Sequence, residues 1–341
     1  MDFNKTIDQI ISEIDIEADL GLNNDDNWSV RYNPFWRYHR ADNNIFAPAS
    51  TLFILNQLKT HLTKNQQSKI EKITKKITSV YPKYQNKDGR ITYNFYPTKP
   101  SKHFANGYLM HWFDHFRLPD DIDDSALIYL TQHNEKHDIF ELKNLLKNHL
   151  VQTQSGKVYD TWFGKNMPHE QDVCALCNLM YLIFSKKIPL DSEDINTLNF
   201  LNESISSIKK QPYKIARHYG HPALIVYHYA RLMADFEIEV LEKKKMELIT
   251  ISKELLSVEK DPFFRQILEI TLMKWGEIII EEPFETKKSK GYSFIGAPLA
   301  PYAIFESLTF KNPFLIFYKS KIHQLAFKLE HTLLSSNIAT K

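Results

Sequence analysis

Apolar residues recur at intervals of three and four along most of the 341-residue chain, which is the spacing of helices that bury one face. Alternation of apolar and polar residues, the pattern of a half-buried strand, is confined to short stretches such as 90–95. The pattern predicts an all-α fold with short hairpin loops. Predicted helices include 7–16, 52–62, 70–80, 142–150, 176–184, 224–233 and 248–256.

The helical pattern is repeated. The run DGRITYNF at 88–95 is echoed by SGKVYDTW at 155–162, and weaker copies lie near Phe46, His221 and Ala300. A helix-pair unit of roughly fifty residues cannot bury its own apolar face, so such units stack or close into a ring. We expect residues 1–341 to form one α/α-toroid domain of five or six units, with the loops before the inner helices at one end. Six positions match at one constant offset: Pro119, Asp121, Asp123, Ala126, Leu127 and Leu130 with Pro168, Glu170, Asp172, Ala175, Leu176 and Leu179.

The most specific motif is the run DIDDSA at 121–126. It resembles the D-x-D-D-[TS]-A signature of class II terpene cyclases, and the repeat is similar to that of the terpenoid cyclase and protein prenyltransferase toroids. The resemblance implies that Asp123 is a general acid that protonates a linear isoprenoid and starts its cyclisation. It implies also that Asp121 and Asp124 hold the proton in place. Protonation itself requires no cofactor, whereas Mg²⁺ would accompany a diphosphate substrate.

Electrostatics is consistent with acid chemistry in this run. Crowded carboxylates cannot all ionise cheaply, so one of them is pushed to a raised pKa. The N-terminus of a helix opposes this effect because it stabilises negative charge, so Asp123 stays protonated only in a dry pocket. The alternative interpretation is structural, because acidic residues at 120–124 would also cap a helix and favour its dipole.

A second set of residues, Asp172, Cys174 and the more distant His221, resembles the zinc ligands of protein prenyltransferase β subunits. Carboxylate, thiolate and imidazole would leave one tetrahedral position open for a substrate thiol. Zinc is therefore an alternative cofactor. The competing interpretation is that Cys174 and Cys177 are small buried packing residues of an apolar helix.

Aromatic and basic residues concentrate in the loops that precede the predicted inner helices. Aromatic faces around a cavity would stabilise a carbocation, and two or three converging arginines would bind a diphosphate. The aromatic candidates for substrate binding are Tyr93, Trp112, Trp162, Phe163 and Tyr219, and the basic ones are Arg37, Arg40 and Arg217.

Two other classes of function fit the same pattern. A toroid can bind a lipid or glycan without chemistry, because fold does not fix function. Sugar-processing enzymes also use paired carboxylates on such folds, and Asp123 with Glu170 or Asp172 would form such a pair. An apolar cavity at Asp123 favours an isoprenoid, an open polar cleft favours a sugar, and an interior filled by side chains favours a scaffold.

Charge and composition limit the classes of binding partner. There are 43 basic and 41 acidic residues, so no overall positive field points to nucleic acid. No apolar run approaches the roughly 18 residues of a membrane span, and the N-terminus has no signal-peptide pattern. The two cysteines suit a reducing compartment. We expect a cytoplasmic protein whose partner is a small isoprenoid or other lipid. Peripheral membrane contact and homo-oligomer formation stay open.

Overall fold

A computed structural model describes residues 3–99, 118–132, 136–164, 169–277, 289–299 and 303–339. Helices account for 60% of the structure, and six strands form two antiparallel sheets. The helices are α1 (Phe3–Leu22), α2 (Phe46–Leu58), α3 (Lys64–Thr78), α4 (Ile122–Thr131), α5 (Lys136–Leu146), α6 (Val173–Ser185), α7 (Ser192–Ser204), α8 (Pro212–Ile215), α9 (Pro222–Asp235), α10 (Glu239–Glu242), α11 (Lys245–Val258), α12 (Pro262–Lys274), α13 (Glu306–Thr309) and α14 (Lys321–Ala339).

Six of these helices contact one another in a closed succession. Helix α2 packs on α4, α4 on α6, α6 on α9, α9 on α12, α12 on α14, and α14 returns to α2. Most of their residues are buried, and α6 is buried continuously from Val173 to Ile183. A helix that is hydrophobic all round lies in the interior, whereas α3, with only one apolar face, lies outside against α1 and α2.

The strands are short and widely separated along the chain. They are β1 (Ser29–Asn33), β2 (Tyr38–Asp42), β3 (Leu150–Thr153), β4 (Gly156–Tyr159), β5 (Phe294–Gly296) and β6 (Ile316–Lys319). One sheet has the order β2-β1-β6-β5, with Val30 opposite Lys319, and the other is the hairpin β3-β4. The four-stranded sheet therefore joins the two ends of the described chain.

The all-α fold class predicted from the sequence is wrong. The predicted helical segments overlap helices, although α5 ends at Leu146 and β3 begins at Leu150, within the segment predicted as helix 142–150. The toroid stays a prediction, and the structure shows only the closed succession of contacts. The strands were not predicted because each has only three to five residues, which is too short to establish an alternating pattern. No helix in the described part of the chain is long and apolar enough to cross a membrane.

Candidate functional site

The aspartates at the start of α4 have different roles. Asp121 is the N-cap residue, with extended backbone, and its Oδ1 accepts the backbone N–H of Asp124 at 2.8 Å. Asp172 caps α6 in the same way by accepting the N–H of Cys174 at 2.9 Å. Asp172 is therefore the structural counterpart of Asp121, and the register of the sequence repeat, which pairs it with Asp123, is shifted by two positions from the helix starts.

Asp123 caps nothing. Its carboxyl group is buried, with the residue 6% exposed, and both oxygens meet side chains from other parts of the fold. Asn178 of α6 donates to Oδ1 at 2.6 Å, and the hydroxyl of Tyr219, in the loop before α9, donates to Oδ2 at 2.5 Å. The hydrogen bonds of Asp123 therefore connect three consecutive units of the chain.

A buried cation lies next to the hydrogen bond between Asn178 and Asp123. Arg231 of α9 is 3% exposed and donates to Oδ1 of Asn178, so the charge of the guanidinium reaches Asp123 through one amide. The guanidinium carbon also lies 4.3 Å from the ring centroid of Phe53, a cation–π contact that favours Arg over Lys at this position. The positive charge favours the carboxylate form of Asp123.

Burial shifts the ionisation of all three aspartates. It raises the pKa of Asp121 to about 7, with the charge of Asp123 as the next cause. Burial and the charge of Asp121 raise the pKa of Asp124 well above its ordinary value. The pKa of Asp123 is also raised by burial, against opposing hydrogen bonds from Asn178 and Tyr219. The group therefore holds protons at pH values where exposed aspartates are ionised.

Backbone contacts align the loops that carry the predicted aromatic residues. Isolated antiparallel bridges join Tyr93 to Asp121 and Asp121 to Trp162, and the N–H of Phe163 donates to the carbonyl of Asp120 at 3.0 Å. Three of the predicted substrate-binding residues, Tyr93, Trp162 and Phe163, therefore lie beside the aspartates, and Tyr219 contacts Asp123 directly.

A second charged cluster adjoins the first. The carboxylate of Glu170 pairs with Nε2 of His218 at 3.1 Å and with the guanidinium of Arg217 at 3.1 Å, and it accepts the indole N–H of Trp162 at 3.3 Å. Burial alone would lower the pKa of His218, but the charge of Glu170 and its hydrogen bond raise it to about 9. Burial alone would raise the pKa of Glu170, but the charges of His218 and Arg217 and the hydrogen bond from Trp162 together lower it.

Glu170 and Arg217 line a polar cleft of about 390 Å³, together with Lys214 and Glu203. The carboxyl group of Asp172 accepts backbone N–H groups from Cys174 and His218. Burial raises the pKa of Asp172 to about 7. Asp172 and Glu170 therefore titrate at different pH values, although they are two residues apart.

Aromatic rings surround the contact between Asp123 and Tyr219. The ring of Tyr219 lies edge-on to Phe46, with centroids 5.7 Å apart, and Phe46 packs on Phe294 at 5.1 Å. Phe294 stacks on the imidazole of His218 at 5.2 Å with nearly parallel planes. Aromatic carbon therefore encloses the buried acid, whereas Glu170 and Arg217 of the charged cluster face the polar cleft.

Two predicted arginines lie elsewhere. Arg37 and Arg40 are exposed on the β1–β2 hairpin, where Arg40 donates to the carbonyl of His39 and contacts the ring of Tyr38. Arg217 instead pairs with Glu170. Trp112 lies outside the described residues.

The residues of the zinc hypothesis have other partners. Asp172 binds backbone N–H groups, and burial raises the pKa of the Cys174 thiol well above its ordinary value, which disfavours the thiolate. His221 stacks on Phe264 at 3.6 Å, accepts the N–H of Ala223 and pairs with Glu259. In the described ranges, no group of three or more His, Cys, Asp or Glu residues is arranged to hold a metal ion. The contacts give the zinc hypothesis no support.

Two residues of the site, Asn178 and Arg231, were not predicted from the sequence. Both stand alone as polar residues in apolar helical runs, LCNLM and YARLM. A buried amide or guanidinium is stable only with partners, so a polar residue in such a run predicts a contact across the core. That signal was available, but it does not identify the partner.

Comparison with protein-family models, with curated proteins and with solved structures finds no match for this chain.

Proposed function

We propose that the protein is an acid catalyst that acts on an isoprenoid, with Asp123 as the proton donor. The observation that carries this proposal is that the aspartates at the start of α4 have different roles. Capping requires one carboxylate, and Asp121 provides it. Asp123 and Asp124 are therefore buried carboxyl groups beyond what the helix needs, and unneeded buried acids are costly unless they serve a function.

The contacts of Asp123 suit a strong acid that is protonated at rest. Burial favours the protonated form. When the proton leaves, the hydrogen bonds from Asn178 and Tyr219 and the charge of Arg231 stabilise the carboxylate that remains. A tyrosine hydroxyl can also turn and accept, so Tyr219 serves both protonation states.

The reaction proceeds from that proton. The O–H bond of Asp123 breaks as the π electrons of a terminal alkene form a C–H bond, which leaves a tertiary carbocation on the substrate. A second alkene of the chain attacks the cation and closes a ring, and loss of a proton to water ends the sequence. The faces of Phe46, Phe294 and Tyr219 would stabilise the moving positive charge. Solvent returns a proton to Asp123.

The test is a product screen by mass spectrometry with linear polyprenes and polyprenyl diphosphates, with and without magnesium. We expect wild type to release a cyclised product and Asp123→Asn to release none. The matched control is Asp191→Asn, which changes the N-cap of the outer helix α7 and leaves turnover unchanged. Full turnover by Asp123→Asn would contradict the acid role, and no product from wild type would contradict the substrate class.

A non-catalytic scaffold is the second candidate. It is favoured by one observation, that both oxygens of Asp123 are already occupied by side chains of the protein. In that case the contacts from Asn178 and Tyr219 only fix the packing of neighbouring helices. Asp123→Asn would then lower the thermal midpoint by several degrees, since an amide cannot accept both hydrogen bonds, and no substrate of the panel would be converted.

A further inference from the structure

The tip of the β1–β2 hairpin exposes two large aromatic side chains. Phe35 is 61% exposed and Trp36 is 64% exposed, and their rings lie edge to face with centroids 4.8 Å apart. Single exposed apolar residues are ordinary, but an adjacent Phe and Trp at a projecting turn form a concentrated apolar surface. Such a surface needs an explanation in terms of what covers it.

The tip is held in place by the protein itself. Asn33 is 1% exposed, and its Oδ1 accepts the N–H groups of Phe35 and Trp36 at 2.9 and 3.1 Å. Its amide donates to the carbonyl of Leu315 at 2.6 Å, and the indole of Trp36 donates to the carbonyl of Pro313 at 2.7 Å. The two exposed rings are therefore held in a fixed position, and binding through them would cost little conformational entropy.

The exposed charge of the hairpin itself has one sign. Arg37, His39 and Arg40 are exposed, and the sequence has no Asp or Glu between Trp28 and Ala41. Arg31 is paired with the buried Asp42 and is already neutralised. Aromatic rings at the end of a basic hairpin match the two layers of an anionic bilayer surface, where Trp lies at the headgroup level and Arg binds phosphate.

We propose that this hairpin tip docks the protein on the surface of an anionic lipid bilayer. Phe35 and Trp36 enter the headgroup region, while Arg37 and Arg40 contact lipid phosphates. The attachment is peripheral and reversible, because one aromatic pair and a few cations give modest affinity. This inference concerns a different surface from the aspartate site and stands whether or not the protein acts on isoprenoids.

The test is flotation of the full chain with vesicles of phosphatidylcholine alone and of phosphatidylcholine mixed with phosphatidylglycerol, at low and high salt. We expect flotation with the anionic vesicles and a marked loss at high salt. Arg37→Gln/Arg40→Gln should weaken binding about five-fold for each charge. Phe35→Ser/Trp36→Ser should weaken it roughly ten-fold or more. Val258→Ser is the matched control, because Val258 is 69% exposed on α11 and should not matter.

Three outcomes would overturn the proposal. The first is the absence of flotation with either vesicle, and the second is equal flotation of wild type and the aromatic double variant. The third is a concentration-dependent dimer, measured by sedimentation without lipid, that the double variant abolishes, since the tip would then bind a second copy. Phe35→Ser alone keeps the hydrogen bond from Trp36 to Pro313, so it separates lost contact with lipid from lost folding of the hairpin.

Discussion

The substitution Asp172→Asn removes the charge of this carboxyl group but keeps a side chain that can cap the start of α6. Asp172 is 1% exposed, and its two oxygens accept the N–H groups of Cys174 and His218. Asn is about as good an N-cap as Asp, although its amide accepts through only one oxygen. The variant therefore lacks one hydrogen bond at every pH, which destabilises it. It also avoids the unfavourable ionisation of a buried carboxyl group, but this advantage over wild type exists only at pH values where Asp172 of wild type is ionised.

The magnitude follows from the pKa of Asp172. Burial, with the charge of Glu170, raises it from its ordinary value of 3.8 to about 7, although the charge of His218 opposes the shift. Between these two values the folded state binds a proton that the unfolded state has released. Stability from this group is thus fully present below about pH 4 and is lost as the pH rises to about 7. One proton amounts to about 1.4 kcal/mol per pH unit, or about 4 kcal/mol in all.

The assay is urea unfolding of wild type and Asp172→Asn at several pH values. From about pH 5 to about pH 8, the difference in unfolding free energy should move by about 3 kcal/mol in favour of the variant. Asp191→Asn is the control, because hydrogen bonds from Lys147 and Lys143 overcome burial and lower the pKa of Asp191. The difference in unfolding free energy between wild type and Asp191→Asn should stay constant over this pH range. A difference for Asp172→Asn that is equally flat would refute the argument that burial governs this carboxyl group.

Two further changes test the packing. Lys143→Met removes the cation that pairs with the buried Asp194. Calorimetry should show a loss of about 3 to 5 kcal/mol in unfolding free energy, and the loss should shrink in acid as Asp194 becomes protonated. An unchanged thermal midpoint would contradict this. Gly21→Ala places a Cβ 2.1 Å from the indole nitrogen of Trp28, so it should cost about 1 to 3 kcal/mol and alter Trp fluorescence, whereas a stabilised variant would show that the ring moves freely.

The helices could be predicted from the sequence because each carries its own evidence in the spacing of apolar residues. The four-stranded sheet could not. Strand β1 pairs with β6 nearly three hundred positions away, and strands of three to five residues contain too few positions to establish a period of two. What decides such pairing is tertiary contact, which no local window of the sequence contains.

The candidate site was predictable in part for the same reason. The acidic run and Tyr219 were predicted from the sequence, and the structure places them in contact. Only one of the three aspartates, Asp121, caps the helix. Asn178 was not found, because its contact with Asp123 depends on how α4 and α6 pack. The distinction between Asp121 as cap and Asp123 as a buried acid also required the helix start, which sequence patterns locate only within a few residues.

The pairing of β1 with β6 has a consequence during synthesis of the chain. A ribosome that adds roughly 5 to 20 residues per second completes β6 about 15 to 60 s after β1. Throughout that interval β1 has an unpaired backbone edge, and α1 lacks its neighbour α14, so apolar surface stays uncovered. We therefore expect newly made chains to engage holding chaperones and to aggregate when synthesis is slowed near the C-terminal helix.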